Sequence, residues 1–296
     1  YGNPTNDTPG FLARSMDMDS FIKTVVSICD AVGGTKKSKK KLGLSFDEWN
    51  IWYHSAEQDE EIRIYAAGGD GTFNEVLTGA MNYKKAAVGL LPYGSGNDFL
   101  RSFGTREEFC DIEDQLRGDV KEIDMIKTQR GYAAAIFSAG LDAKVAYGIP
   151  KFRRIPLCGG SMAYKLSIAE VLLGKKATKV HINIDGKEFE RSCLLVAVCN
   201  GHAYGGGFMA APESKLDDGI LDVLVVKKVS RLQVPLIIGK YKDGRYKELP
   251  DIAKHYRTDK VKVICDKESA INLDGEILPM AQAEFACHQD KLLLHW

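Results

Sequence analysis

Ile62-Arg63-Ile64-Tyr65-Ala66-Ala67-Gly68-Gly69-Asp70-Gly71-Thr72 is the stretch on which the fold reading turns. Ile62 to Ala67 is a short, mainly apolar run, expected as a strand that ends in a glycine loop. Asn74 to Met81 follows with Val76, Leu77 and Ala80 on one side, the pattern of a helix. One unit downstream the grammar recurs. Ala86 to Pro92 reads as a buried strand, Tyr93-Gly94-Ser95-Gly96 as a second glycine loop, and Asn97 to Phe103 as the start of another helix. Strand, loop and helix in repetition mark a parallel sheet with helices on its faces.

In such a sheet, ligands sit where strand ends lead into helix N-termini. Gly68, Gly69 and Gly71 permit backbone angles that turn successive N–H groups toward an anion, and the helix start adds partial positive charge. Asp70 would repel that anion unless a metal or a substrate hydroxyl lies between them. It is therefore a candidate for organising Mg²⁺ or for accepting a hydroxyl proton. The plain alternative is a tight turn whose Asp caps the next helix. The second loop, Pro92-Tyr93-Gly94-Ser95-Gly96-Asn97-Asp98, tips the balance to a phosphate site. Neither loop has the Gly-Lys-Ser/Thr of a Walker A motif, and the GxGxxG fingerprint of dinucleotide binders is also missing.

Beyond Val120 the pattern is mostly β. Strands are expected at Glu122–Lys127, Tyr132–Ala139, Lys179–Ile184, Cys193–Asn200, Leu221–Lys227, Lys260–Ile264 and Ala270–Leu273, with helices near Ser161–Leu173 and Arg231–Tyr241. Asp185-Gly186 signals a hairpin turn. Two acidic turns stand out, Lys215-Leu216-Asp217-Asp218-Gly219 and Asn272-Leu273-Asp274-Gly275-Glu276. Each alone could be an ordinary polar turn. Phosphoryl transfer needs carboxylates for Mg²⁺ and for the nucleophile, so their convergence would give them a role.

The whole-chain balance, 40 basic against 40 acidic residues, carries no surplus of Lys and Arg for a polyanion, and no nucleic-acid partner is expected. Seven scattered cysteines without a CxxC pair read as reduced, structural thiols of a cytoplasmic protein. No apolar run approaches the roughly 20 residues of a membrane span, so membrane contact would be peripheral. Lys151-Phe152-Arg153-Arg154-Ile155 is a basic-apolar segment that could make such contact, although an ordinary solvated loop is the stronger reading. The chain begins without Met or a signal-like start, which reads as a fragment.

Residues 1–59 have a separate character. A helical pattern (Phe21, Val25, Ile28, Cys29, Val32) stops at Gly33-Gly34. A basic run from Lys36 to Lys41 and a strand-like stretch from Leu42 to Tyr53 follow.

Taken together, Ala66–Val76, Leu91–Phe99, Lys215–Gly219 and Asp274–Glu276 resemble the diacylglycerol-kinase catalytic family, which includes bacterial lipid kinases and the sphingosine and ceramide kinases. The resemblance covers about four fifths of the chain. It implies a nucleotide-binding α/β lobe followed by a β-sandwich lobe, with the active site between them. Carried onto this sequence, that is a lobe of residues 60–122 joined by 287–296, and a lipid-binding lobe of residues 123–286. The implied reaction moves the γ-phosphate of ATP, with Mg²⁺, to a lipid hydroxyl of a diacylglycerol-like or sphingoid substrate. The resemblance puts ATP phosphates at Gly68, Gly69, Gly71 and Thr72 and at Gly94, Ser95, Gly96 and Asn97, with Asp70 and Asp98 beside the Mg-ATP. Asp217 and Asp218 would form a metal-linked cluster with Asp124 in its polar network. Base catalysis falls to Glu276 or Asp70, with Asp274 in the same catalytic motif. A homodimer working at a membrane surface is compatible with this picture. NAD kinases also carry a GGDG-type loop and are the alternative, although Gly-Ser-Gly-Asn-Asp looks like the lipid-kinase side.

The pattern breaks at the front. Only residues 54–61 separate Tyr53 from Ile62, too few for a parallel crossover, so the usual first βαβα portion is expected to be absent and the α/β lobe truncated. Tyr1–Thr8, Phe11–Met18 and Leu44–His54 instead resemble a fragment of an α-L-arabinofuranosidase of the retaining glycoside-hydrolase type. Glu48 of Asp47-Glu48-Trp49-Asn50 would be its nucleophile. The partner carboxyl and most of a barrel of about 250 residues are lacking, so glycosidase activity is not expected. The expectation is a chimera joined near Asp59–Ile62, whose kinase part is either active or an inactive, truncated lobe.

Overall fold

A computed structural model describes residues 62–295, apart from 84, 95, 111–117, 130, 156–159 and 175–176. The expected N-terminal helix, basic run and strand, Glu48, and Ser95 lie outside the described residues. Residues Arg63–Trp296 form one compact unit.

The unit opens with strand β1 (Ile62–Gly68), helix α1 (Asp70–Ala80) and strand β2 (Ala86–Pro92). α1 starts four residues earlier than the apolar pattern suggests, because Gly69 is its N-cap and Asp70 its first residue. Phe73, Leu77 and Ala80 point into the core. Nearly every residue of β2 is buried, as expected for a strand covered on both faces. A 3-10 turn, Phe99–Ser102, stands where a helix from Asn97 to Phe103 was expected. Asn97 has φ 50°, which a right-handed helix cannot accommodate. A short helix α2 (Arg106–Cys110) follows.

The remainder is mainly antiparallel. β3 (Val120–Thr128), β4 (Gly131–Ala133) and β5 (Ile136–Gly140) lead into helices α3 (Leu141–Arg153) and α4 (Gly160–Leu173). Then come β6 (Thr178–Ile184), β7 (Lys187–Cys199), β8 (Leu221–Lys227), helix α5 (Val234–Lys242), β9 (Ala253–Thr258), β10 (Lys260–Leu273) and β11 (Glu276–His295). The two strands expected at Lys260–Ile264 and Ala270–Leu273 are one strand, with a register irregularity between Ile264 and Ser269. The helix expected from Arg231 begins at Val234, after a 3-10 turn closed by a Ser230–Gln233 capping box.

Sheet order runs β1-β2-β11-β10-β5-β7-β8-β9, with β3, β4 and β6 attached at its sides. β11 is the connecting strand. It leaves β10 as an antiparallel hairpin, pairs with β3, and ends parallel to β2 through Leu293, Leu294 and His295. The fold is thus a small α/β nucleotide-binding lobe continuous with a curled antiparallel sandwich. Strand alternation feeds two cores. In β8, Leu221, Val223 and Val225 enter the sandwich interior, while Leu224 and Val226 enter the helix-covered side. The interior is closed by Phe137 against Phe285, with ring centroids 3.8 Å apart. Among the described residues no helix is long and apolar enough to cross a membrane. Cys193, Cys199 and Cys265 are buried in the cores.

Candidate active site

The two glycine loops meet. The Gly94 N–H donates to Gly68 O at 3.0 Å, locking the end of β1 to the end of β2. A Cβ on Gly94 would lie 2.3 Å from Gly69 Cα, so this approach requires glycine. Asn97 closes the second loop from inside: its Nδ2 donates to Pro92 O (3.1 Å) and Gly94 O (2.8 Å). Its Oδ1 is buried without a partner. Of the residues expected at a phosphate cradle, Gly68, Gly69, Gly94, Gly96, Asn97 and Asp98 therefore lie at two joined strand ends, and Gly71 and Thr72 in the first turn of α1.

Asp70 bridges them. Its Oδ1 accepts the Phe99 N–H at 3.0 Å, and its Oδ2 would be 2.9 Å from a Cβ at Gly96. Burial holds the Asp70 carboxyl above the usual carboxylate range, and the nearby Asp98 charge adds to this. Backbone N–H groups of Phe99 and Asp98 oppose the shift. Asp98 accepts from Arg101 Nε (3.2 Å) and from the Gly206 N–H (2.5 Å), tying the second loop to the segment after β7.

Asp274 comes from the far end of the sequence. Its carboxylate accepts the N–H groups of Ala134 (2.5 Å), Ala135 (3.1 Å) and Ile136 (2.7 Å). These three donors break the strand expected over Tyr132–Ala139 into β4 and β5. Burial pushes the Asp274 carboxyl up to about 6 against those bonds, and Asp70 is close enough to contribute. Asp70 and Asp274 thus lie within electrostatic reach of each other. Glu276, two residues on, is exposed at the start of β11.

The other acidic residues do not converge on a common centre. The Asp124 Oδ2 accepts the Gly219 N–H at 2.6 Å, and its own N–H donates to Leu216 O at 2.5 Å, so it pins the Leu216–Gly219 loop. Asp218 pairs with Arg257, and Asp217 is exposed. Among the described residues no group of three or more His, Cys, Asp or Glu side chains could hold a metal.

A cavity of about 210 Å³ lies on the helix-covered side of the sheet, with apolar walls that include Leu141, Val145, Ile168, Leu194, Val226 and Ile237. Its polar wall is Asp142, Tyr204, Tyr241 and Asn272. Two chain segments join cavity and site: Gly205 lines the cavity and Gly206 holds Asp98, while Asn272 lines it and Asp274 follows two residues later. Sequence reading missed Asp142, because Gly148 and Pro150 obscure the periodicity of α3. The signal available was a strand ending at Gly140 with an acid in the next turn.

The diacylglycerol kinase catalytic domain matches residues 25–128, and the YegS C-terminal NAD kinase beta sandwich-like domain matches residues 135–294. The first match starts ahead of the expected boundary near residue 59. A diacylglycerol kinase of Bacillus subtilis is 32% identical over 225 residues, covering 75% of this chain and 73% of that protein. A crystal structure of a diacylglycerol kinase from Bacillus anthracis superposes with TM-score 0.59 at 20% identity, over 83% of this chain and 84% of the other, a likeness of fold. An intracellular exo-α-(1→5)-L-arabinofuranosidase of Bacillus subtilis is 55% identical over 88 residues, 30% of this chain but 17% of that protein. The chain therefore joins sequence of two unrelated families, in line with the expected chimera. Its two matched domains and the Bacillus subtilis relative place the larger part, as an enzyme of the kinase class, in the diacylglycerol kinase family.

Proposed function

We propose that this chain transfers the γ-phosphate of ATP to the hydroxyl of a lipid. The observation that carries the reading is an apolar cavity joined, through Gly205-Gly206 and Asn272–Asp274, to two interlocked glycine loops. Phosphoryl transfer needs little covalent chemistry from the protein, only positioning and charge stabilisation. The loop N–H groups and the start of α1 suit the phosphates, and the cavity suits an acyl chain.

Asp70 is the base in this reading. It is half-buried between the loops, and burial raises its carboxyl above the usual carboxylate range, which favours proton acceptance. Asp274 positions the β4–β5 backbone beside it, and Glu276, exposed at the mouth, is the other candidate. Mg²⁺ prefers a few hard oxygen ligands shared with phosphates, and the adjacent Asp70 and Asp98 carboxylates fit that demand. When bound there it would neutralise charge on the transferring phosphate. We further place the enzyme at a bilayer surface in the cytoplasm. The support is apolar exposure at Leu173, Leu232 and Leu236 near Arg231, whose Nη2 donates to Leu173 O, and exposed Lys151, Arg153 and Arg154 on the neighbouring helix end.

Labelled ATP offered with a panel of diacylglycerol, sphingoid bases and NAD tests the reading. Lipid should be labelled, and Asp70→Ala with its fold retained should lower labelling by about 10²-fold or more. Label on NAD alone would move the chain to the NAD-kinase alternative, and unchanged turnover in Asp70→Ala would remove the base assignment.

A further inference from the structure

Tyr204 to Phe208 is a short loop that joins the apolar cavity to the second glycine loop. Its ends are tied to each other: the Tyr204 N–H donates to Phe208 O at 3.0 Å, and the Phe208 N–H to Tyr204 O at 2.9 Å. Both rings line the cavity and pack on Tyr241 of α5, with centroids 6.3 and 6.0 Å from it. The Tyr241 hydroxyl donates to the Tyr204 oxygen at 3.0 Å, and the Met209 N–H donates to Lys242 O at 3.0 Å. Helix α5 thus anchors the loop where it enters and where it leaves.

The middle of the loop is built differently. Gly205, Gly206 and Gly207 all have positive φ, at 61°, 85° and 95°. Gly205 and Gly206 are exposed, and a Cβ on Gly206 would meet nothing within 4 Å. The contact that holds this stretch is the Gly206 N–H on Asp98 Oδ2, at 2.5 Å. That oxygen faces the nucleotide loops: a Cβ on Gly96 would lie 3.7 Å from it and 2.9 Å from Asp70 Oδ2. Arg101 Nε holds the other Asp98 oxygen at 3.2 Å.

Glycine loses more backbone freedom on ordering than any other residue, and here three stand in a row. A lipid chain against Tyr204 and Phe208 would order the loop from its ends, and a nucleotide at Asp98 would order it from its middle. The first ligand bears the cost of ordering, so a second that needs the same order binds more tightly.

We propose that Gly206 is a positioning residue: its N–H sets the Asp98 carboxylate for Mg-ATP, and through it a lipid in the cavity and the nucleotide tighten each other's binding. The proposal rests on the lipid-kinase reading for both ligands.

Titration calorimetry of the full chain with Mg²⁺ and β,γ-methylene-ATP, with and without saturating 1,2-dihexanoylglycerol, reads this coupling without turnover. Wild-type nucleotide affinity should rise about fivefold or more with the lipid, and lipid affinity by the same factor with the nucleotide. Gly206→Pro removes the N–H and cannot hold a positive φ, so the two affinities should become independent. Gly206→Asn keeps the N–H and tolerates the left-handed region, so it should retain the coupling. If the proline variant does not fold, amide hydrogen exchange decides: lipid alone should slow exchange of the wild-type Gly206 N–H. Independent wild-type affinities, coupling that persists in Gly206→Pro, coupling lost in folded Gly206→Asn, or exchange at Gly206 indifferent to lipid would each overturn the proposal. Failure of either ligand to bind the wild type would overturn the kinase reading and the proposal with it. Independent binding alongside phosphate transfer would overturn the proposal alone.

Discussion

Two hairpins of the molecule close on nearly the same four residues, Asn183-Ile184-Asp185-Gly186 between β6 and β7 and Asn272-Leu273-Asp274-Gly275 between β10 and β11. Their backbones match. Asp185 and Gly186 have φ 51° and 78°, and Asp274 and Gly275 have φ 46° and 98°, the two positive values of a type I′ turn. Even the Asn side chain repeats, its Oδ1 accepting the Gly186 N–H at 3.1 Å in one and the Gly275 N–H at 2.8 Å in the other. The carboxylates differ. Asp185 stands at the surface and accepts one hydroxyl, from Thr258 at 2.5 Å. Asp274 faces inward, takes three backbone N–H groups and sits within electrostatic reach of Asp70. The turn is a local property of the dipeptide; the role of its acid is set by what the hairpin leans against.

The largest expected difference follows from counting stranded donors. Asp274→Ala leaves the N–H groups of Ala134, Ala135 and Ile136 without their acceptor, at about 1–3 kcal/mol for each one buried. Loss of several kcal/mol in urea unfolding is expected. Asp185→Ala should cost less than about 1 kcal/mol, because the Thr258 hydroxyl can still donate to Lys260 O at 2.7 Å. Equal losses at the two positions would break the comparison.

A smaller effect is expected in pH dependence. In the folded chain the Asp274 carboxyl titrates at about 6, against about 3.9 in an unfolded chain. The folded state then binds this proton more tightly, so the contribution of Asp274 to stability falls as pH rises from about 4 to about 6 and is level above that. The span corresponds to about 3 kcal/mol before other groups are added. Asp274→Asn removes the titration. Its stability profile between pH 4 and 6 should lose that downward component relative to wild type, and parallel profiles would show that Asp274 is not the group responsible.

What could be read from sequence follows the same division between local and distant causes. The strand end at Gly68-Gly69 was legible, although the helix begins at once with Asp70 where a longer loop was expected, and Asp185-Gly186 was legible as a turn because the dipeptide fixes its own backbone form. The Asp274 clamp was not, since its donors stand 138 to 140 residues away. For the same reason the break between β4 and β5 was invisible: Tyr132–Ala139 reads as one strand until an external carboxylate claims the middle N–H groups. Asp142 was lost with its helix. The acidic pair Asp217-Asp218 was legible as a motif, but only the fold reveals that Arg257 holds Asp218 while Asp124 pins the loop from β3.

The smallest expected effect is also the control on this division. Gly186 and Gly275 both hold positive φ, and a Cβ at either would meet nothing within 4 Å. Alanine there should therefore cost only the backbone strain of a left-handed residue, about 1–2 kcal/mol, without a packing clash. If the two turns are locally equivalent, Gly186→Ala and Gly275→Ala should lose stability to within about 0.5 kcal/mol of each other in urea unfolding. A much larger loss at Gly275 would mean that the turn backbone is coupled to the Asp274 clamp. The inward carboxylate would then be setting the turn, instead of the turn presenting the carboxylate.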